Sequence, residues 1–210
     1  MKQETAKDLK KGLLIVFEGI DGTGKSTQMD LLGQHLVNKG YPVISTREPT
    51  TGQYGMKIRQ LYLKRDSISK EEELELFLND RREHVRELIQ PALTDHKIVL
   101  CDRYFLSTAA YQGAVGFEPQ EILRLNSFAP DPDLALLFTA KPELSVKRIA
   151  GRGDALNDFE RQDELQKVSD IFLSLDKPYI TPIDGSGTIE YIHQQVIRHV
   201  MVLLNQYQLS

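Results

Sequence analysis

A single cysteine, Cys101, stands among 210 residues, so the chain can build neither an intramolecular disulfide nor a cysteine-based zinc site. A reducing, cytoplasmic setting is the expectation. Positive charge is not in excess: 26 Lys+Arg face 30 Asp+Glu, for a formal net charge of −4. That balance offers no general footprint for nucleic acid or an anionic membrane surface, and neither is an expected partner. Long hydrophobic runs are missing too. Met1 to Lys11 is polar and charged, and the apolar run Leu13 to Phe17 is far shorter than a signal-peptide core or a membrane span. Residues 1–11 are expected to form a flexible N-terminus. With 40% hydrophobic residues, residues 12–208 suffice for one domain with a full core. No internal repeat or low-complexity segment interrupts it.

Short apolar or β-branched runs span Leu13–Glu18, Pro42–Thr46, Ile98–Asp102, Leu134–Thr139 and, more weakly, Tyr179–Ile183. Runs apolar throughout predict strands covered on both faces, and the helical stretches between them are long enough for right-handed crossovers. The expected fold is therefore α/β: a five-stranded parallel sheet flanked by helices in a three-layer sandwich. A first helix is predicted from near Gly24 to Lys39-Gly40, with Pro42 beyond it. Another is predicted from Ser69 towards Pro91, with Glu71, Glu72 and Glu73 where they complement the helix dipole. A last helix from Ile189 to Leu204 carries an apolar face at Ile189, Ile192, Val196, Val200 and Leu203.

The segment Gly19-Ile20-Asp21-Gly22-Thr23-Gly24-Lys25-Ser26 fits the phosphate-binding pattern G-x-x-x-x-G-K-[ST]. It follows the first strand and opens the first helix, which is the context the pattern needs. Its glycines let backbone N–H groups wrap a nucleotide's phosphates at the positive end of the helix, with Thr27 closing the loop. Lys25 would reach the β- and γ-phosphates, and the Ser26 hydroxyl would bind Mg²⁺. A dinucleotide fingerprint is excluded, because Gly22-x-Gly24 runs into Lys25, Ser26 and Thr27 without a third glycine. Guanine specificity needs N-K-x-D, yet the Asn38-Lys39 pair is followed by Gly40 and Tyr41. Arg47 and Arg103, near the ends of the second and third strands, supply a second anion site on the side of the sheet where the loop opens.

Separated segments then match one family in order: Phe17 to Thr27; Thr46-Arg47-Glu48-Pro49; Leu76-Phe77-Leu78-Asn79-Asp80-Arg81; and Asp102-Arg103-Tyr104 through Gln112. The chain resembles the thymidylate kinases, more loosely over roughly 13–204. The resemblance implies that ATP and dTMP are the substrates, that Phe77 stacks on thymine and that Arg81 hydrogen-bonds its carbonyl. The two residues share a helical face. It further implies that Arg103 grips the acceptor's 5′-phosphate, that Asp21 accepts from the sugar 3′-hydroxyl and that Tyr111 crowds the 2′ position. Ser107 and Gln112 match positions against the base edge, and Arg47 and Glu48 lie in the segment lining the acceptor pocket. Taken singly, Phe77 fits a core position and Arg81 a solvated face beside Arg82. His84, in the same helix, is given a surface or packing role, and His35 is expected to be exposed.

Because the acceptor would be a phosphate oxygen, already anionic near neutral pH, no general base is needed. Transfer calls instead for cations around the moving phosphoryl group: Lys25, Mg²⁺ and arginines. Thymidylate kinases carry a catalytic arginine either directly after the loop aspartate or in a lid. Here Gly22 follows Asp21, so the chain resembles the bacterial, lid-arginine type. Arg148 and Arg152 are the candidates in a lid around 148–160. Many members continue with Asp-Arg-x-Glu, where this chain has Asn157-Asp158-Phe159-Glu160. Arg161 is a possible substitute. Asp102 is open to two roles, holding a Mg²⁺-bound water or a purely structural one. The resemblance also implies a homodimer. A kinase for another pyrimidine monophosphate and an ATP-binding switch without turnover are the competing readings.

Overall fold

The structure, a computed structural model, describes residues 9–61, 68–140, 143–145, 148 and 158–209. Five strands form one parallel sheet: β1 (Leu13–Glu18), β2 (Val43–Arg47), β3 (Ile98–Asp102), β4 (Leu134–Thr139) and β5 (Ile180–Asp184), in the order β2-β3-β1-β4-β5. β1 and β3 are buried along their whole length, as apolar runs covered on both faces require. Alternation along each strand sorts the side chains into two cores. Leu14, Val16, Val99, Cys101, Ala135 and Leu137 enter one; Leu13, Ile15, Phe17, Ile98, Leu100, Leu136 and Phe138 enter the other. Each large side chain taken fully out of water contributes about 1.5–3 kcal/mol.

The second core is closed by α1 (Lys25–Asn38) and α8 (Ile189–Leu209), through Met29, Leu32, Leu36, Ile192, Val196, Val200 and Leu204. Opposite, α3 (Lys70–His84), α5 (Phe105–Ala114), α6 (Pro119–Leu125) and α7 (Asp158–Ser174) supply Leu74, Leu78, Phe105, Ala109, Ile122, Leu165 and Phe172. α2 (Gln53–Leu61) packs on α3. The expected three-layer α/β sandwich is the observed one.

α1 ends where the sequence predicts: Gly40 takes φ 84°, a conformation that costs glycine nothing. Ser69 caps α3 with a reciprocal box: its hydroxyl accepts from Glu72 N at 3.2 Å, and Glu72 Oε2 accepts from Ser69 N at 2.8 Å. The helix then widens into a π turn, Val85–Ile89, and continues as α4 (Gln90–Thr94), past the expected stop at Pro91. Proline is accommodated there because it falls in the first turn of α4.

Other expectations need correction. Ile189 is 53% exposed; as the first residue of α8 it precedes the stretch that lies on the sheet, and Leu204 joins the buried face instead. His35 is half-buried, edge-on to His193 at 6.2 Å, because α8 packs along α1. Packing also begins before residue 12. Leu9 is buried in the α1/α8 core and its carbonyl accepts from His96 Nδ1 at 2.8 Å, while Lys11 pairs with Asp133 at 2.6 Å. Among the described residues no helix is long and apolar enough to cross a membrane.

Candidate active site

Parallel strands bring their carboxyl ends to one edge, and the loop from Gly19 to Gly24 connects β1 to α1 there. Gly19 has φ 127°, and a Cβ on it would lie 2.2 Å from the Phe138 carbonyl oxygen, so no other residue fits. α1 starts at Lys25 with no side-chain cap on its first amides, leaving donors aimed at an anion. Lys25 is 5% exposed and donates to Ile20 O at 2.8 Å; Thr23 Oγ1 donates to the same carbonyl at 2.9 Å. Burial, reinforced by the charge of Arg103, pushes the Lys25 ammonium down to about 7.

The cleft beside this loop is lined by Asp21, Gly22, Gly24, Lys25, Ser26, Thr27, Arg47, Asp102 and Arg103. Ser26 Oγ donates to Asp102 Oδ2 at 2.6 Å, and the largely exposed Arg47 reaches the same oxygen at 3.4 Å. Asp102 Oδ1 is buried without a partner. A buried carboxylate oxygen left unsatisfied next to a loop hydroxyl suits a hard cation, so these residues fit Mg²⁺.

Arg103 follows β3 with φ 70°, the left-handed region that costs a non-glycine residue about 1–2 kcal/mol. Its backbone N–H donates to Phe17 O at 2.9 Å. Nη1 donates to Gly19 O at 3.3 Å and Ser107 Oγ at 3.0 Å; Nη2 donates to Asp21 Oδ1 at 2.7 Å and Tyr111 Oη at 3.3 Å. The guanidinium lies 5.0 Å from the centroid of the Tyr111 ring. Burial would raise the Asp21 carboxyl, but Arg103 and Lys25 outweigh it and hold it at about 2. Arg103, Asp21 and Tyr111 thus meet beside the phosphate loop.

Glu18, to which sequence reasoning assigned no role, organises this corner. It is fully buried at the end of β1, accepting from Tyr104 N at 2.9 Å, from Ser107 N at 3.2 Å and from the Ser107 hydroxyl. Burial raises its carboxyl to about 7 against those bonds and the charge of Arg103. The available signal was an acid ending an otherwise wholly apolar strand.

A second cluster lies between α3 and α5. Arg81 is 1% exposed, which excludes the solvated face. Its Nη1 donates to Asn126 Oδ1 at 2.6 Å, and its Nη2 to Glu48 Oε2 at 2.5 Å and Thr108 Oγ1 at 3.0 Å. Arg81 Nε is buried without a partner, as is Gln112 Oε1. Phe77, one turn before Arg81, is half-buried. Two of the expected pocket residues are engaged by the protein itself. Ser107 is engaged by Glu18 and Arg103 on the phosphate side, while its neighbour Thr108 meets Arg81. Glu48 is 5% exposed and sits behind Arg81. His84 is buried rather than at the surface, against Glu48. Asp80 ties the loop after β2 to α3, accepting from Thr50 N at 2.9 Å and Thr50 Oγ1 at 2.6 Å.

Arg148 Nη1 donates to Gly185 O at 2.9 Å and Gly22 O at 3.3 Å, joining the loop after β5 to the phosphate loop. Arg152 and the rest of the expected lid up to 157 lie outside the described residues, as does the side chain of Arg161.

A phosphate loop and a second cationic cluster share one sheet edge with no general base required, which defines a P-loop kinase of the nucleoside monophosphate class. The thymidylate kinase family model matches residues 17–196. The chain is 56% identical over 194 residues to a thymidylate kinase of Desulfotalea psychrophila, covering 92% of this chain and 96% of that one. It is 45% identical over 184 residues to one of Xanthomonas oryzae pv. oryzae (88% and 81% covered), and 44% over 192 to one of Xanthomonas campestris pv. campestris (91% and 83%). The chain belongs to the thymidylate kinase family.

Proposed function

We propose that this chain transfers the γ-phosphoryl group of ATP to the 5′-phosphate of dTMP. A phosphate oxygen of dTMP forms the new P–O bond, the β–γ bridge breaks, and its electron pair leaves with ADP; dTDP is the other product. The observation that carries the reading is the juxtaposition of Lys25 in its phosphate loop with Arg103, Asp21 and Tyr111. Two polyanions bound side by side here have their reacting ends in a shared cleft.

Lys25 and the loop amides bind the β- and γ-phosphates, exchanging the Ile20 carbonyl for phosphate oxygens. Arg103 takes the acceptor phosphate, with Arg47 beside it, and Asp21 and Tyr111 hold the sugar, Tyr111 against the 2′ position. Phe77 and Arg81 receive the base, with Gln112 at its edge. Ser26 and Asp102 would hold Mg²⁺, which when bound neutralises charge on the phosphates. Arg148 and Arg152 are assigned to the transferring phosphoryl group, and family likeness supports a homodimer working in the cytoplasm.

ADP release by purified protein with MgATP tests the reading, with dTMP, dUMP, UMP, CMP, AMP or no acceptor. Rates with dTMP and dUMP are expected to exceed that with UMP by at least about tenfold, the discrimination that one crowded hydroxyl supplies. Equal rates on UMP would point to a kinase for another pyrimidine nucleotide. ATP binding without acceptor-dependent release would point to a switch.

A further inference from the structure

Arg81 is almost completely committed. Both terminal nitrogens donate to protein oxygens, and its guanidinium carbon lies 5.3 Å from the centroid of the Tyr104 ring. Of its five N–H groups, the one on Nε and the second on Nη1 have no protein acceptor and are left to meet a ligand, so their direction is set by whatever sets Glu48. The second oxygen of Glu48, Oε1, faces His84 Nδ1 at 2.9 Å, and His84 Nε2 faces Thr46 Oγ1 at 2.8 Å. A carboxylate only accepts, so Nδ1 carries the hydrogen; in the neutral ring Nε2 then accepts from the Thr46 hydroxyl. Thr46 lies near the end of β2 and Glu48 directly follows the strand, two residues on and so on the same face, while Arg81 and His84 are one turn apart on α3. Strand period and helix period therefore bring two residues of each to one shared surface. The side chains of Arg81, His84 and Glu48 are 1%, 3% and 4% exposed, so water cannot substitute freely for any of these bonds.

We propose that His84 is a positioning residue for the nucleotide acceptor: the chain Thr46–His84–Glu48 orients Arg81, and so aims the uncommitted N–H groups of its guanidinium at the base. This rests on the acceptor pocket proposed above. Without the imidazole, Glu48 Oε1 would be a buried carboxylate oxygen with no donor, a costly state. The carboxylate would turn towards another donor and Arg81 would turn with it.

The substitutions separate this from simple packing. Asparagine places an N–H near the position of Nδ1 and keeps the donor to Glu48. Glutamine reaches the position of Nε2 and keeps only the contact to Thr46. Steady-state kinetics on the full chain should show His84→Ala and His84→Gln raising the KM for dTMP about tenfold, the loss of one charge-assisted bond. The KM for ATP should stay within about twofold, and His84→Asn should return the dTMP KM to within about threefold of wild type. Imidazole ¹⁵N spectra of the wild-type protein should show hydrogen on Nδ1. The proposal is overturned by a folded His84→Ala protein with unchanged dTMP KM, by equal rises for both substrates, or by rescue with Gln instead of Asn. A ring protonated on Nε2 alone also overturns it, and decides the matter by itself if His84→Ala does not fold. A wild-type enzyme indifferent to dTMP would instead bring down the acceptor reading on which this one rests.

Discussion

Lys25 stands among charges that act on it in opposite directions. Burial and Arg103 disfavour its ammonium, Asp21, Asp102 and Glu18 favour it, and the balance lies near 7 instead of 10.5. A lysine lowered in the folded state costs stability while it is forced to be charged. That cost is full below about pH 7 and fades as pH rises towards 10.5. In the proposed ATP complex the triphosphate reverses the balance by supplying negative charge at the Nζ atom. Close to one proton should therefore be taken up per ATP bound at about pH 8, and much less at about pH 6. Calorimetry in buffers of different ionisation enthalpy reads this directly. Uptake that persists in Lys25→Met would locate the effect elsewhere. Asp21, held at about 2, contributes no titration in that range.

Among the elements, α3 carries much of the proposed acceptor side: Phe77, Arg81 and His84 lie on its last turns, while Ser69 and Glu72 secure its first. These ends do different work. Ser69→Ala removes the cap and should lower stability by about 1 kcal/mol, or about 2–4 °C in Tm, by thermal unfolding. The dTMP KM should move less than about twofold, because the cap lies several turns from Arg81. A KM change as large as that expected for His84→Ala would mean that the whole helix, not the Glu48 network, orients the arginine. The π turn directly after His84 ends the regular helix just beyond the network, the kind of irregularity that recurs at functional sites.

At the scale of the molecule, the cleft residues of this structure satisfy one another: Ser26 with Asp102, Arg103 with Asp21, Lys25 with a carbonyl. Substrates must replace these contacts, and binding only the native state stabilises it. ATP or dTMP at a hundred times its Kd should each add about 2.7 kcal/mol to the unfolding free energy. Denaturant titration with dTMP and with UMP at equal concentration should show the larger shift for dTMP. Equal shifts would mean that the pocket does not read the sugar.

Local pattern sufficed for much of this. The strands at 13–18, 98–102 and 134–139 were legible because burial on both faces writes a continuous apolar run, and the phosphate loop because its glycines and Lys25 are adjacent in sequence. Family order supplied Arg81, Arg103 and Asp21 as residues of interest. Sequence alone could not say that Ser107 and Thr108, neighbours in the chain, turn to different partners. Successive residues on a helix point about 100° apart, and only the docking of α5 between Glu18 and Arg81 decides which direction is which. Nor could it place Glu48 behind Arg81, leave Asp102 Oδ1 open, or bury His84. Those arrangements join residues from β1, β3, α3, α5 and the segment after β2 that are far apart in sequence, and they exist only because the parallel sheet brings the ends of its strands to one edge.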